Sequence, residues 1–314
     1  MKSVILREFG DISNFKVVDL IVPKCGENDL LVKLKAISIN PIDFKTRRGK
    51  GVAANFELPA ILGWDISGEI VEVGKNVSNF KIGDEVFGLS NFPKPANAYA
   101  EYTICNSAHM ALKPKEMSHH EAAAACCAGL TAYQFLHHHA KIQKGQKILI
   151  HAAAGGVGHF AVQLAKLSGL QVYATASSKN ETFLKELGVD VFIDYTVNDF
   201  RNEAKDMDIV FDGVGGEVSL QSLECIRNNG MLITLPSMYR NDSAVLENAK
   251  NKNITCIWPT AIPNVEDLNE LATLIISGKI KVKISKVFLL DEIASAHAEL
   301  EQGHTQGKII ISVV

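Results

Sequence analysis

The chain has 314 residues, 47% apolar and 21% charged, more than one ordinary core accommodates, so a soluble globular protein of about two domains is expected. Its 32 basic and 35 acidic side chains give a net charge of −3 without a basic block, which leaves no electrostatic footprint for nucleic acid or for an anionic membrane. The 6 cysteines (Cys25, Cys105, Cys126, Cys127, Cys225 and Cys256) form no C-x-x-C pair, which argues against a disulfide framework and a four-thiolate zinc site.

At the amino terminus, MKSVILREFGD offers only a short apolar run before Arg7 and Glu8, and no later stretch approaches a membrane span; a cytoplasmic location is expected. From Val4 to about Met110, short alternating segments such as Leu30 to Ala36 (LLVKLKA) and Ile66 to Val73 (ISGEIVEV) lie between Gly, Pro and Asn turns. This pattern predicts an antiparallel, barrel-like β domain, with Gly63, Gly68, Gly74 and Gly83 serving turns and bulges.

After His119 the pattern changes to alternating helix and strand. A helix is predicted over Glu121 to His137, a strand over Lys147 to Ala152, a helix over Val157 to Ser168 and a strand over Gln171 to Ala176. A helix at 180–187, strands at 191–194 and 208–212, a helix near Val218 to Ile226 and strands at 231–235 and 254–258 continue the series. Such alternation implies a doubly wound parallel sheet of about six strands. Beyond Pro263, a helix at Val265 to Ser277, a strand at Val282 to Leu289, another helix and a strand from Lys308 to Val314 are expected to return to the first domain. The α/β domain, 122–262, then interrupts a β domain formed by 1–121 and 263–314, and a substrate would bind in the cleft between them.

The strand KILIHA (Lys147 to Ala152) and the amphipathic helix after it are joined by AAAGGVG, Ala152 to Gly158. The first N–H groups of a helix lack intrahelical acceptors and its dipole favours an anion, so this is where a pyrophosphate binds. Gly155 and Gly156 would allow a tight turn, Gly158 close packing of helix on sheet, and Val157 lies between them; Ala153 stands where G-x-G-x-x-G has its first glycine. A cofactor without a 2′-phosphate wants an acid at the end of the next strand, yet Ser177, Ser178 and Lys179 follow there. Two hydroxyls and a cation suit a 2′-phosphate and point to NADPH. Because ligands bind outside the carboxyl ends of parallel strands, Tyr195, Val214, Leu235, Pro236 and Ser237 are further cofactor contacts, with Ile257 and Trp258 walling the nicotinamide.

The ordered motifs NPIDFK (Asn40 to Lys45), GWDISGEIVEVG (Gly63 to Gly74), KIGDEVFG (Lys81 to Gly88), GLTAYQ (Gly129 to Gln134), AAAGGVG, DGVGG (Asp212 to Gly216) and GKIIISVV (Gly307 to Val314) span nearly the whole chain. Together they resemble the zinc-independent, quinone-oxidoreductase-like branch of the medium-chain dehydrogenase/reductase superfamily, which includes zeta-crystallin-like and enone-reductase-like members. The resemblance implies a Rossmann domain inserted in a GroES-like β-barrel catalytic domain, usually as a homodimer. It puts Asn40, Lys45 and Thr131 beside the nicotinamide, adds Lys308 to the cofactor contacts, and places Phe44 and Tyr99 in the substrate cleft. Trp258 and Tyr99 are equally readable as core aromatics.

Zinc-dependent members similar to this chain carry ligands at places that here hold Asn40, Trp64 and Cys127, and one thiolate does not make a catalytic zinc site. The lobe Asn91 to Tyr99 has no cysteine for a structural zinc, and the run His137, His138, His139 cannot converge on one ion because neighbours on a helix diverge by about 100°. No metal is therefore expected. The implied reaction is hydride transfer from NADPH to a quinone or to the β-carbon of an α,β-unsaturated carbonyl, with Lys45 polarising the substrate oxygen. Two rivals remain at this point: an NADPH-binding protein without turnover, as in crystallin-type members of the fold, and a zinc-dependent alcohol dehydrogenase.

Overall fold

In the computed structural model, which describes residues 1–313, the amino-terminal part forms strands where Val, Ile and Leu alternate with polar residues between Gly, Pro and Asn turns. In chain order these are β1 (Lys2–Leu6), β2 (Phe15–Asp19), β3 (Asp29–Ile39), the helix α1 (Pro41–Arg47), β4 (Ala60–Ile61), β5 (Asp65–Val73), β6 (Glu85–Leu89), β7 (Tyr102–Asn106) and β8 (Ala111–Leu112). Helices α2 (His119–Ala125) and α3 (Cys127–Tyr133) follow.

The predicted continuous helix from Glu121 to His137 is broken at Cys126, whose ψ of −94° leaves the helical region. The cause is tertiary: the Cys127 N–H donates at 3.0 Å to the Asp65 carboxylate on β5. After α3 the last turn, Gln134–His139, widens into a π-helix.

The parallel sheet comes next, and its strands agree with the apolar runs of the sequence. β9 (Lys147–Ile150), α4 (Gly158–Leu167), β10 (Gln171–Ala176), α5 (Glu181–Glu186), β11 (Val191–Asp194), α6 (Phe200–Glu203), β12 (Met207–Asp212), α7 (Glu217–Cys225), β13 (Ile226–Thr234), α8 (Ser243–Lys250) and β14 (Thr255–Ile257) alternate as expected. The chain then runs through α9 (Val265–Ile276), β15 (Ile284–Leu289), α10 (Ile293–Glu301) and β16 (Lys308–Ser312).

Two compact units result: Met1–Leu130 with Ile262–Gly278 and Val282–Val314, and Thr131–Ala261 with Lys279–Lys281. In the first, the larger sheet has the order β15-β16-β3-β5-β6-β8 with β7 also on β3, and a smaller sheet has the order β2-β1-β4. The pairs within the amino-terminal part are all antiparallel, as expected there, while among the strands of the carboxyl-terminal part β15 runs parallel to β16. Parallel pairing needs a crossover, and α10 supplies it. Leu30, Ile37, Ile66 and Ile310 are fully buried in this unit.

The second unit is a six-stranded sheet of order β11-β10-β9-β12-β13-β14, all parallel. The order reverses between β9 and β12, so the carboxyl ends of these two strands flank the switch-point crevice at which such folds bind ligands. The predicted strand Lys147 to Ala152 ends at Ile150, because the turn bends through Ala152, whose φ is +52°. The left-handed residue of the turn is thus an alanine, and Gly155 and Gly156 are not its positive-φ positions. Gly158 has the packing role expected of it: a Cβ there would lie 2.4 Å from the Ala152 carbonyl oxygen and 2.7 Å from the Ala153 Cα. Main chain cannot withdraw as a flexible side chain can, so Gly158→Ala should cost about 1–3 kcal/mol, measured by urea unfolding.

Candidate active site

Asn40 is the N-cap of α1, and its side chain is spoken for on both sides. Its Nδ2 donates to Asp65 Oδ2 at 2.8 Å, and its Oδ1 accepts from the Lys308 ammonium at 2.5 Å. Lys308 also donates to the Ile39 carbonyl at 3.0 Å and lies 4.0 Å from Asp65. All three side chains are buried, so the network fixes the start of α1 against β5 and β16. Burial lifts the Asp65 carboxyl to about 6, against the opposing pull of Lys308 and of the Asn40 hydrogen bond.

Past this cap, α1 carries Phe44 and Lys45, both half-buried. Burial alone pulls the Lys45 ammonium below the ordinary lysine range, and no carboxylate among the described residues forms an ion pair with it. A desolvated cation without a counter-ion is drawn to an oxygen on which negative charge develops. Tyr99, expected in the substrate cleft, is instead fully buried, its hydroxyl bonded to Asp43 and His297. The core alternative describes it: the ring has no surface to offer a substrate, and its polar tip is satisfied inside.

Trp64 is one of the three positions at which the resemblance would put a zinc ligand. It is buried, donates through its indole N–H to the Lys94 carbonyl at 2.8 Å, and is packed edge-on by Phe56 and Phe92. Among the described residues no group of three or more His, Cys, Asp or Glu side chains is placed to hold a metal ion.

In the α/β unit the glycine turn and the turn after β12 touch, since a Cβ on Gly213 would lie 3.2 Å from the His151 carbonyl oxygen. Asp212 staples its own turn, accepting from the N–H groups of Val214 and Gly215 at 2.7 and 3.0 Å and from the Ser219 hydroxyl at 2.5 Å. Below the glycine turn, His151 bridges Thr175 and Ser222 at 2.9 and 3.0 Å, and burial depresses its pKa to about 4, which keeps it neutral. Gly155, Gly156 and Val157 are partly exposed at the start of α4. The Gly155 N–H donates to the Ala152 carbonyl at 3.0 Å, and the close approach at Gly158, with the partly exposed Gly156 and Val157 before it, fits a dinucleotide pyrophosphate.

At the end of β10, Ser177 is half-buried and Ser178 and Lys179 are exposed. Sequence reasoning missed Asp194 at the end of β11, whose carboxyl is held below the usual aspartate range by hydrogen bonds from Thr196 and Ser178. Its signal was an acid closing an apolar strand one position further out in the sheet. Tyr195 and Val214 are exposed, Ser237 is exposed beside half-buried Leu235 and Pro236, and Ile257 and Trp258 are half-buried. Trp258 packs on the hydrophobic core of this unit while its buried N–H finds no acceptor. Thr131 is buried on α3.

Comparison with known proteins agrees with this geometry. A family of alcohol dehydrogenase GroES-like domains matches residues 26–159, and a family described as zinc-binding dehydrogenases matches 187–311. The chain is 35% identical to the 2-methylene-furan-3-one reductase of Solanum lycopersicum over 99% of its length and 79% of the relative's. The quinone oxidoreductase of Coxiella burnetii superposes with a TM-score of 0.95 at 40% identity, covering 100% of this chain and 99% of that one. The Escherichia coli quinone oxidoreductase, solved in complex with NADPH, superposes with a TM-score of 0.89 at 28% identity, covering 99% of this chain and 100% of that one. This chain belongs to the quinone-oxidoreductase-like branch of the medium-chain dehydrogenase/reductase superfamily and has its Rossmann and GroES-like architecture.

Asp65 titrates near 6 in the fold against an ordinary aspartate value of 3.8. A carboxyl whose folded pKa is raised contributes stability that is complete below the unfolded value and lost as pH rises through the folded one. The wild-type protein should therefore lose stability relative to Asp65→Asn as pH climbs from about 4 to about 7, measured as the difference between their thermal unfolding curves.

Proposed function

We propose that this enzyme is an NADPH-dependent oxidoreductase that reduces quinones or α,β-unsaturated carbonyls without a metal. The observation that carries the reading is Lys45: a half-buried ammonium, drawn down by desolvation, on a helix whose cap is locked by Asn40, Asp65 and Lys308. The family relationship supports the acceptor class, because relatives are named for quinones and for an enone.

NADPH, when bound, supplies the hydride. The residues that would hold it are the turn Gly155 to Gly158 for the pyrophosphate, with N–H groups from Gly156 onward, and Ser177, Ser178 and Lys179 for the 2′-phosphate, with the carboxyl-end residues Tyr195, Val214, Leu235 to Ser237, Ile257 and Trp258 around the rest. Thr131 belongs to the contacts in this reading, whereas Lys308, expected among them, is buried with its ammonium on Asn40 and the Ile39 carbonyl and serves the scaffold. Lys45 donates a charge-assisted hydrogen bond to the substrate carbonyl oxygen, making the β-carbon or quinone ring electrophilic and stabilising the oxyanion that develops. Asn40 is a positioning residue in the structure, since both ends of its amide are engaged. Phe44, half-buried on the same helix, supplies an apolar wall. Water protonates the product.

The metal-free reading is supported by the ligand positions themselves, where an amide locked by Lys308, a packed indole and a single thiol stand. All six cysteines are free, which supports a reducing compartment such as the cytoplasm. A homodimer, implied by the family resemblance, belongs to this reading.

NADPH oxidation with phenanthrenequinone, para-quinones and short enones tests the reading. Lys45→Ala should lower kcat about 100-fold or more while NADPH binding holds, and chelators should leave turnover unchanged. Turnover of simple alcohols only, or tight NADPH binding with no turnover on any acceptor, would refute the proposal. Lys179→Ala should raise the KM for NADPH roughly five- to tenfold and leave that for NADH unchanged.

A further inference from the structure

Helices α1 and α10 carry polar side chains at matched positions one helical turn apart. On α1 they are Asp43 and Arg47, and on α10 they are His297 and Glu301; the first three are buried. One rung is the ion pair of Arg47 with Glu301, from which Arg47 also donates to the Gly10 carbonyl at 2.6 Å.

The other rung passes through Tyr99, which contributes from the loop before β7. The Tyr99 hydroxyl donates to Asp43 Oδ1 at 2.9 Å and accepts from His297 Nε2 at 2.9 Å. The second oxygen of Asp43 accepts the backbone N–H of Asn40 at 2.7 Å. Both carboxylate oxygens are therefore occupied, one toward α10 and one toward the cap of α1. Phe15 packs edge-on against His297 and Tyr99, keeping the rung dry.

A helix of 7 residues has little stability of its own, so its orientation is set by what it is bolted to. Asp43 and Arg47 share one face of α1, and Lys45, two positions on from Asp43, points about 200° away from it. The bolted face and the Lys45 face are opposite sides of one short rod.

We propose that Asp43, Tyr99 and His297 act as positioning residues for the reduction, aiming the Lys45 ammonium and the Asn40 cap through the orientation of α1. This rests on the reading of Lys45 given above. With Asp43 ionised the Tyr99 hydroxyl donates to it in a charge-assisted bond; protonation of Asp43 removes that acceptor and turns the bond round, leaving a weaker neutral one. The groups facing Asp43 are the Tyr99 hydroxyl, with His297 of α10 behind it, the Asn40 N–H, Asp65 of β5, Lys308 of β16 and, on its own helix, Arg47. Burial raises Asp43 to about 7, with the Tyr99 and Asn40 hydrogen bonds opposing. His297 is held neutral by burial and by Arg47, its pKa lowered to about 3, and with the Tyr99 hydroxyl donating to Asp43 it is the Nε2–H tautomer that completes the rung.

Tyr99→Phe keeps the ring and removes only the hydroxyl. Its effect is read from kcat and KM between about pH 6 and 9, together with amide hydrogen exchange over residues 40–47 and the NMR titration of the Lys45 side chain. Expected are a kcat roughly five- to twentyfold lower with the KM for NADPH unchanged, and an acid limb of kcat displaced to higher pH because a hydrogen bond that lowers Asp43 is gone. Exchange over α1 should rise about tenfold with β9 and β12 unaffected, and the Lys45 titration should move. In Asp43→Asn, which cannot ionise, the limb should vanish. An unchanged acid limb, α1 exchange and Lys45 titration in folded Tyr99→Phe would overturn the inference, as would losses of kcat and NADPH binding in equal proportion. If the wild-type enzyme reduced no quinone or enone, the reading of the site would fall, while exchange and the Lys45 titration would still decide whether this rung orients α1.

Discussion

The buried contact among Asn40, Asp65 and Lys308 is the constraint on which the β-rich unit's functional end depends. Taking two charges out of water costs several kcal/mol per ion, and their attraction offsets this only when the remaining donors and acceptors are also satisfied. Here they are. Lys308 spends its hydrogen bonds on Asn40 and the Ile39 carbonyl, and Asp65 spends its oxygens on Asn40 and the Cys127 N–H. Such an arrangement is a weak stability device and a strong geometric one, because breaking any member strands a buried charge. It ties the end of β3, the cap of α1, β5, β16 and the break between α2 and α3 to one point.

The two units solve different problems with different physics. In the α/β unit the turns at the carboxyl ends of β9 and β12 are shaped by contact between backbones: Gly158 against Ala152, Gly213 against His151, and Asp212 holding its own turn. His151, below the turn, is kept neutral by burial, with two hydroxyl partners satisfying its ring nitrogens. In the β-rich unit the half-buried Lys45 lies on a short helix whose other face is held by buried polar side chains in pairs. Main-chain packing makes the first site tolerant of composition and intolerant of bulk. Side-chain networks make the second sensitive to charge.

Position in a motif and role in the fold were legible to different degrees. NPIDFK read as a reactive segment because of Lys45, yet within it Asp43 faces inward and binds the scaffold. Tyr99 read as either cleft or core, and only its partners, Asp43 and His297, decide for the core. Those partners lie 56 and 198 positions away along the chain, beyond the reach of any local pattern. Asp194 is not marked by any motif beside the glycine turn, and only the sheet, which pairs the end of β11 with that of β10, brings it alongside Ser178.

By itself the sequence determined the alternation of strands and helices, the glycine turn, the missing acid after β10 and the order of the family motifs, since each is written in hydropathy period or in residues a few positions apart. Tertiary structure alone decided where the long helix breaks, that β15 runs parallel to β16, that an alanine takes the left-handed position of the turn, and which polar groups are buried together. These depend on contacts between segments far apart in the chain, whose energies exceed local propensity and leave no periodic trace in it.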